Sequence, residues 1–251
     1  MMRKLLILGG TTEASALAAA LTGDARFDTL VSFAGTTRTP RAPPVAYRVG
    51  GFGGVQGLAD FLRGGGFDLL IDATHPFAAR MKRNAAEAAR VAGVPLLGIL
   101  RPAWSGGDWT RVSDMAGAAE ALGPAPRRVL LTIGQKDLAA FKAAPWHSYV
   151  VRSVDLPEPA SMPPDAVAIS ARGPFTLDAE RALLKRIGVS ALVTKNSGGS
   201  ATFAKLEAAA EVGVAVVMVD RPQPMLGIET VADAEAALRW LDRHAATDRR
   251  V

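Results

Sequence analysis

A short apolar strand that runs straight into two glycines and a helix opens this chain, and that unit leaves few folds open. Lys4-Leu5-Leu6-Ile7-Leu8 ends in Gly9-Gly10-Thr11-Thr12-Glu13, and an alanine-rich segment follows from about Glu13 to Leu21. Strand, glycine turn and helix in that order begin a parallel α/β fold. The pattern then recurs. Leu30–Ala34 reads as a second strand, Val55–Leu62 as a helix, Leu69–Asp72 as a buried strand, Phe77–Ala92 as a helix and Pro95–Leu100 as another strand. Continuous apolar runs alternating with helices predict a parallel sheet covered on both faces.

Gly123-Pro124-Ala125-Pro126 interrupts the rhythm, which then restarts. Val129–Ile133 predicts a strand ending in Gly134-Gln135-Lys136-Asp137, with a helical segment after it. Further strands are expected near Tyr149–Arg152, Val167–Ser170, Ala191–Thr194 and Ala215–Val219. Helices are expected near Leu177–Ile187, Ala201–Val212 and Val231–His244. The expected fold is α/β, with two Rossmann-like lobes, each on a parallel sheet, and an active-site cleft between them. The lobes are placed at residues 1–125 and 126–245, with 246–251 as a flexible tail. The halves share a rhythm without a convincing sequence repeat.

Composition narrows the chemistry. The 251 residues suffice for two small cores and include no cysteine, which excludes disulfides, thiolate nucleophiles and cysteine-held metal centres. His75, His147 and His244 show no metal-ligand spacing. Met1-Met2-Arg3-Lys4 precedes too short an apolar run for a signal peptide, and no stretch approaches the roughly 20 apolar residues of a membrane span. A cytoplasmic protein is expected. The formal charge of +5 is spread along the chain without a basic, aromatic-interleaved tract. That disfavours nucleic acid and leaves a polyanionic small molecule as the anionic partner.

Gly9, Gly10, Thr11, Thr12 and Glu13 form a candidate pyrophosphate site, because glycine lets a phosphate approach and a helix N-terminus supplies N–H donors. The run lacks the full G-x-G-x-x-G pattern, and a plain βα turn with a threonine N-cap and a glutamate capping box suits it too. The end of the second strand carries no acid. Thr36, Thr37, Arg38 and Arg41 stand there, as suits a ribose 2′-phosphate, so NADPH is favoured over NADH. A solvated basic loop is the alternative. Neither Tyr47 nor Tyr149 has a lysine four residues on, and no Walker-type loop occurs, so short-chain dehydrogenase chemistry and phosphoryl transfer are not expected.

Other polar turns follow strands. Asp72, Thr74 and His75 cluster before a helix, although Thr74 also suits a cap and Pro76 a first helical position. Arg101 and Trp104 offer a carboxylate grip and a flat surface for a ring, or a packed surface tryptophan. Lys136, Arg172, Lys195 with Ser197 and Gly198, and Arg221 complete a set of cationic turns.

Taken in order, Leu8-Gly9-Gly10-Thr11-Thr12-Glu13-Ala14, Asp72-Ala73-Thr74-His75-Pro76-Phe77-Ala78, Arg101-Pro102-Ala103-Trp104, Arg172-Gly173-Pro174-Phe175 and Lys195-Asn196-Ser197-Gly198-Gly199 resemble the precorrin-6A reductase family of cobalamin biosynthesis. The resemblance runs from about Leu5 to Arg221. It implies NADPH-dependent reduction of one carbon–carbon double bond in a polycarboxylate tetrapyrrole, with no metal or flavin. On that basis Gly9, Gly10, Thr11, Thr12, Glu13, Thr36, Thr37, Arg38 and Thr74 are expected to hold the cofactor. Arg101, Lys136, Arg172, Lys195, Ser197, Gly198 and Arg221 are expected to hold substrate carboxylates. His75, Asp72, Lys195 or water is expected to supply the proton. Transfer contacts with neighbouring enzymes of the pathway are a further expectation. The competing readings are a reductase for the cobalt-containing precursor, an NADP-dependent reductase of a smaller substrate, an NADP-sensing module and, more weakly, a methyltransferase.

Overall fold

Leu5, Leu6, Ile7 and Leu8 are all buried, as an apolar strand covered on both faces requires. They belong to β1 (Arg3–Leu8) in a computed structural model that describes residues 2–35, 41–223 and 227–246. The other strands are β2 (Phe27–Phe33), β3 (Ala46–Val49), β4 (Leu69–Asp72), β5 (Leu96–Ile99), β6 (Trp109–Val112), β7 (Arg128–Thr132), β8 (Ser148–Ser153), β9 (Ala166–Ser170), β10 (Ala191–Lys195), β11 (Ala215–Val219) and β12 (Glu229–Val231). The helices are α1 (Thr12–Ala20), α2 (Val55–Gly65), α3 (Ala79–Ala92), α4 (Met115–Ala121), α5 (Leu177–Ile187), α6 (Ala204–Val212) and α7 (Ala234–Ala246).

The chain divides into two compact units, one of residues 1–102 with 223–251 and one of residues 103–222. Each is built on a parallel six-stranded sheet. The first has the order β3-β2-β1-β4-β5-β12, the doubly wound order of dinucleotide-binding folds. One face of it packs on α1 and α7 through Leu17, Ala237, Trp240 and Leu241. The other packs on α2 and α3 through Leu58, Leu62, Ala85 and Ala88. The final helix therefore belongs to the first unit.

The second sheet repeats this order as β9-β8-β7-β10-β11-β6. Leu130, Val150 and Leu192 point to α5 and α6 on one face, where Leu184, Leu206 and Ala209 close the core. The chain leaves the first unit after Arg101-Pro102 and returns after Arg221-Pro222. The units thus part at Pro102 and Ala103, and Gly123–Pro126 lies inside the second, between α4 and β7. That proline-rich stretch is only a tight connection. The crossings fall at Arg101-Pro102 and at Arg221-Pro222-Gln223-Pro224, so proline content alone does not tell a crossing from a connection within a unit.

The sixth strand of each sheet shows the repetition most closely. Leu100 donates its N–H to Val231 O, and Asp220 donates to Val112 O, both at 2.8 Å. Asp114 and Asp233 each stand two residues after that valine and cap the next helix, accepting the N–H of Gly117 and of Ala236 at 2.8 Å. Ala118 in α4 and Leu122 at its end, and Ala237 and Leu241 in α7, are fully buried at matching positions. Among the described residues no helix is long and apolar enough to cross a membrane.

Candidate active site

Open parallel sheets bind ligands at the carboxyl ends of the strands where the order reverses. In the first unit that point lies between β1 and β4. The β1 turn supplies Gly9 to Glu13, and the β4 turn supplies Asp72 to His75. Thr11 caps α1, its hydroxyl oxygen accepting the N–H of Ala14 at 3.2 Å and donating to Ala73 O at 2.8 Å. The two turns are thereby joined. Gly10 has φ of +127°, a backbone that side chains avoid, and nothing lies within 4 Å of where its Cβ would be. Gly9 packs so closely that a Cβ would meet Val31 Cγ1 at 3.0 Å. This is an open glycine cradle beside the first turn of α1, where backbone N–H groups have no intrahelical acceptor. The donors suit a phosphate.

Glu13 stands one position short of a capping box. Its Oε2 instead lies 2.7 Å from Arg101 Nη1, at the end of β5, which offsets a negative charge beside the cradle. Thr12 is the first residue of α1. Thr36, Thr37 and Arg38 lie outside the described residues.

Asp72 is 5% exposed. Its Oδ1 accepts the Thr74 hydroxyl at 2.6 Å and the Thr74 N–H at 3.0 Å, and its Oδ2 lies 3.2 Å from Lys82 Nζ. Both oxygens are engaged, so the group shapes the turn. His75 Nδ1 accepts the N–H of Phe77 at 3.2 Å, which places the proton of a neutral ring on Nε2.

The second unit has its own reversal between β7 and β10. Lys195 ends β10, and its ammonium bonds to the Asp137 carboxylate in the 3₁₀ segment Gln135–Ala143 after β7. Lys136 beside it is exposed. The turn 195–199 is held by Trp104, whose N–H donates to Asn196 Oδ1 at 2.8 Å and whose indole donates to Gly199 O at 2.9 Å. Asn196 Nδ2 returns a bond to Trp104 O at 3.0 Å. Trp104 is 8% exposed, so it is a buried anchor for this turn rather than an open platform. Arg221 Nε donates to Asn196 O at 2.7 Å. Ser197 is 7% exposed, and Gly198 follows it in the same turn. The turn that carries exposed Arg172 meets this region through the Phe175 N–H, which donates to Ala201 O at 3.2 Å. Behind it, Arg152 lies 4.3 Å from the Phe175 ring centre and 2.5 Å from Glu180.

The structure thus brings Gly9–Glu13, Asp72, Thr74, His75 and Arg101 together in one unit. It brings Lys136, Arg172, Lys195, Ser197, Gly198 and Arg221 to the strand ends of the other. Sequence reasoning passed over Lys82 and quoted Asp137 and Asn196 only as members of polar turns, because the partners that give them roles lie elsewhere in the chain. It also passed over Arg48, which lies near the end of β3 and donates to Ser32 Oγ and Gly50 O, each at 2.9 Å. The dense glycines of Gly50-Gly51-Phe52-Gly53-Gly54 were the available signal. Among the described residues no three His, Asp or Glu side chains gather as metal ligands.

Comparison with known proteins gives a family. Residues 4–242 match the family described as precorrin-6x reductase CbiJ/CobK. A precorrin-6A reductase of Sinorhizobium sp. is 49% identical over 95% of this chain and 94% of its own length. A cobalt-precorrin-6A reductase of Priestia megaterium is 33% identical over 87% of this chain and 91% of its own. The solved structure titled CobK precorrin-6A reductase superposes with a TM-score of 0.92, at 45% identity and full coverage of both chains.

Proposed function

The chain belongs to the precorrin-6x reductase family, and on that premise we propose that it reduces one carbon–carbon double bond of precorrin-6A with NADPH, giving precorrin-6B in cobalamin biosynthesis. The greater likeness to the precorrin-6A relative than to the cobalt-precorrin relative favours the metal-free substrate. The observation that carries the cofactor half is the open glycine cradle at the β1–β4 reversal, joined to the β4 turn by Thr11.

NADPH bound there supplies hydride to a ring carbon conjugated with the macrocycle. The backbone of Gly9 and Gly10 and the first turn of α1 hold the pyrophosphate. Thr12 and Thr74 add hydroxyl donors. Arg38, with Thr36 and Thr37, selects the 2′-phosphate. Glu13 and Asp72 act through their partners: Glu13 keeps Arg101 in place, and Asp72 aligns Thr74.

The second unit binds the substrate. Arg172, Lys136, Lys195 and Arg221, with the turn at Ser197 and Gly198, receive acetate and propionate carboxylates and fix the ring's orientation. The carbon next to the one reduced takes a proton from His75, from Lys195 or from water. Asp72 is the weakest donor, because both its oxygens accept hydrogen bonds or face Lys82. The protein's contribution is alignment and electrostatics.

The cofactor is tested by titrating NADPH and NADH into the wild type and Arg38→Ala. NADPH binding much tighter than NADH, with the preference lost in the variant, supports the reading. Equal weak binding of both would remove the 2′-phosphate site.

A further inference from the structure

Among the ion pairs of the described residues, three that lie at or behind the strand-end turns differ in burial. Arg152 and Glu180 are 5% and 2% exposed, Arg101 and Glu13 are 13% and 17%, and Lys195 and Asp137 are 17% and 32%. A pair sealed from water resists exchange, since breaking it strands a buried charge. A pair that water reaches is weakly held, and another carboxylate can replace the first with no net loss of charge contact. Lys195–Asp137 is the most open of the three.

Its position points the same way. Lys195 closes β10 and Asp137 follows β7, so the pair marks the reversal point of the second sheet, where such folds take ligands. Asp137 sits near the start of a 3₁₀ segment, whose hydrogen bonds have poorer geometry than those of an α-helix, and its N–H reaches Gly134 O only at 3.4 Å. The carboxylate can swing aside without unmaking a helix.

We propose that Asp137 is a stand-in for a substrate carboxylate: it holds the Lys195 ammonium in the free protein and yields it to an acetate or propionate arm of the tetrapyrrole. The inference rests on the proposed function above, with Lys195 in the substrate subsite. Asp137 then sets specificity at that arm. Only a charged arm displaces it, whereas a neutral amide or ester arm cannot match the charge it would replace.

The test is steady-state kinetics with precorrin-6A for the wild type, Asp137→Asn, Lys195→Met and the double variant. Asp137→Asn removes the competing charge, so KM falls by about two- to fivefold. Lys195→Met raises KM. In the Lys195→Met background the Asp137→Asn change has no further effect. Asp137→Ser is a second variant with the same expected sign should the asparagine form fold poorly. If Asp137→Asn raises KM as Lys195→Met does, Asp137 orients Lys195 and the stand-in idea is wrong. If the drop in KM persists without Lys195, Asp137 acts through the general field and the idea is equally wrong. A wild type that does not turn precorrin-6A over sinks the functional reading itself. An active wild type whose KM ignores Lys195→Met removes only the subsite.

Discussion

The hydroxyl of Thr11 donates to the carbonyl oxygen of Ala73 at 2.8 Å while accepting the N–H of Ala14 at 3.2 Å. One side chain therefore caps α1 and ties the glycine turn after β1 to the turn after β4. Thr11→Val keeps the shape and removes both bonds, so it should cost about 1–2 kcal/mol of stability. It should also weaken NADPH binding, because the cradle loses its tie to the β4 turn at Ala73. Thr11→Ser should restore most of both. Urea unfolding alongside cofactor titration separates the effects. An unchanged cofactor affinity in a destabilised Thr11→Val protein would leave the hydroxyl a purely structural cap.

The Arg152–Glu180 pair lies in the core of the second unit, and Glu180 Oε2 has no hydrogen-bond partner among the described residues. Removing one partner, as in Arg152→Met, leaves the other charge buried alone and should cost about 3–5 kcal/mol. The double variant Arg152→Met with Glu180→Leu should recover much of that loss. Denaturant midpoints of the single and double variants provide the check. Equal losses in both would show that the packing of Arg152 on Phe175 matters more than the charge.

His147 supplies a pH dependence of stability. Burial, then the charge of Arg127, hold its pKa below the ordinary imidazole value, and its Nδ1 accepts the Arg127 N–H at 3.1 Å. Below about pH 6.5 the unfolded chain gains a proton that the folded chain refuses. The stability from the neutral ring is therefore complete above that pH and declines as pH falls toward the lower folded value. A Tm profile should show this decline in the wild type and a shallower one in His147→Gln. Parallel profiles would assign the acid sensitivity elsewhere.

Much of this fold was legible from local pattern. The apolar runs at Leu69–Asp72 and Ala215–Val219 and the helix at Leu177–Ile187 match the observed elements, because burial on both faces leaves a continuous hydrophobic signature. The edge strands β3, β6 and β12 escaped notice. They are short and half-exposed, as edges usually are, and Glu229-Thr230-Val231 offers only one apolar residue. The repeat was hidden for the same reason: its clearest copies are Val112 with Asp114 and Val231 with Asp233, in those edge elements. At the site, residue types were readable but partners were not. Nothing local to Trp104 announces that it pins Asn196 and Gly199, and nothing near Asp72 announces Lys82.

The proton donor can be narrowed by His75→Asn. If the imidazolium form of His75 protonates the ring from Nε2, with Nδ1 also protonated and the Phe77 N–H released, the variant should lose about 10²-fold or more in kcat, and its pH profile should lose the imidazolium limb. A small loss with an unchanged profile would transfer the role to Lys195 or water.

The proposed function requires this chain to move hydride from NADPH to precorrin-6A. The most direct measurement is an anaerobic single-turnover reaction of the purified protein with both, following nicotinamide absorbance and the mass of the tetrapyrrole. One NADPH should be consumed per macrocycle, giving a product heavier by two hydrogens, with NADH reacting far more slowly. A protein that binds NADPH yet leaves precorrin-6A unchanged would contradict it, and the nucleotide-sensing reading would take its place.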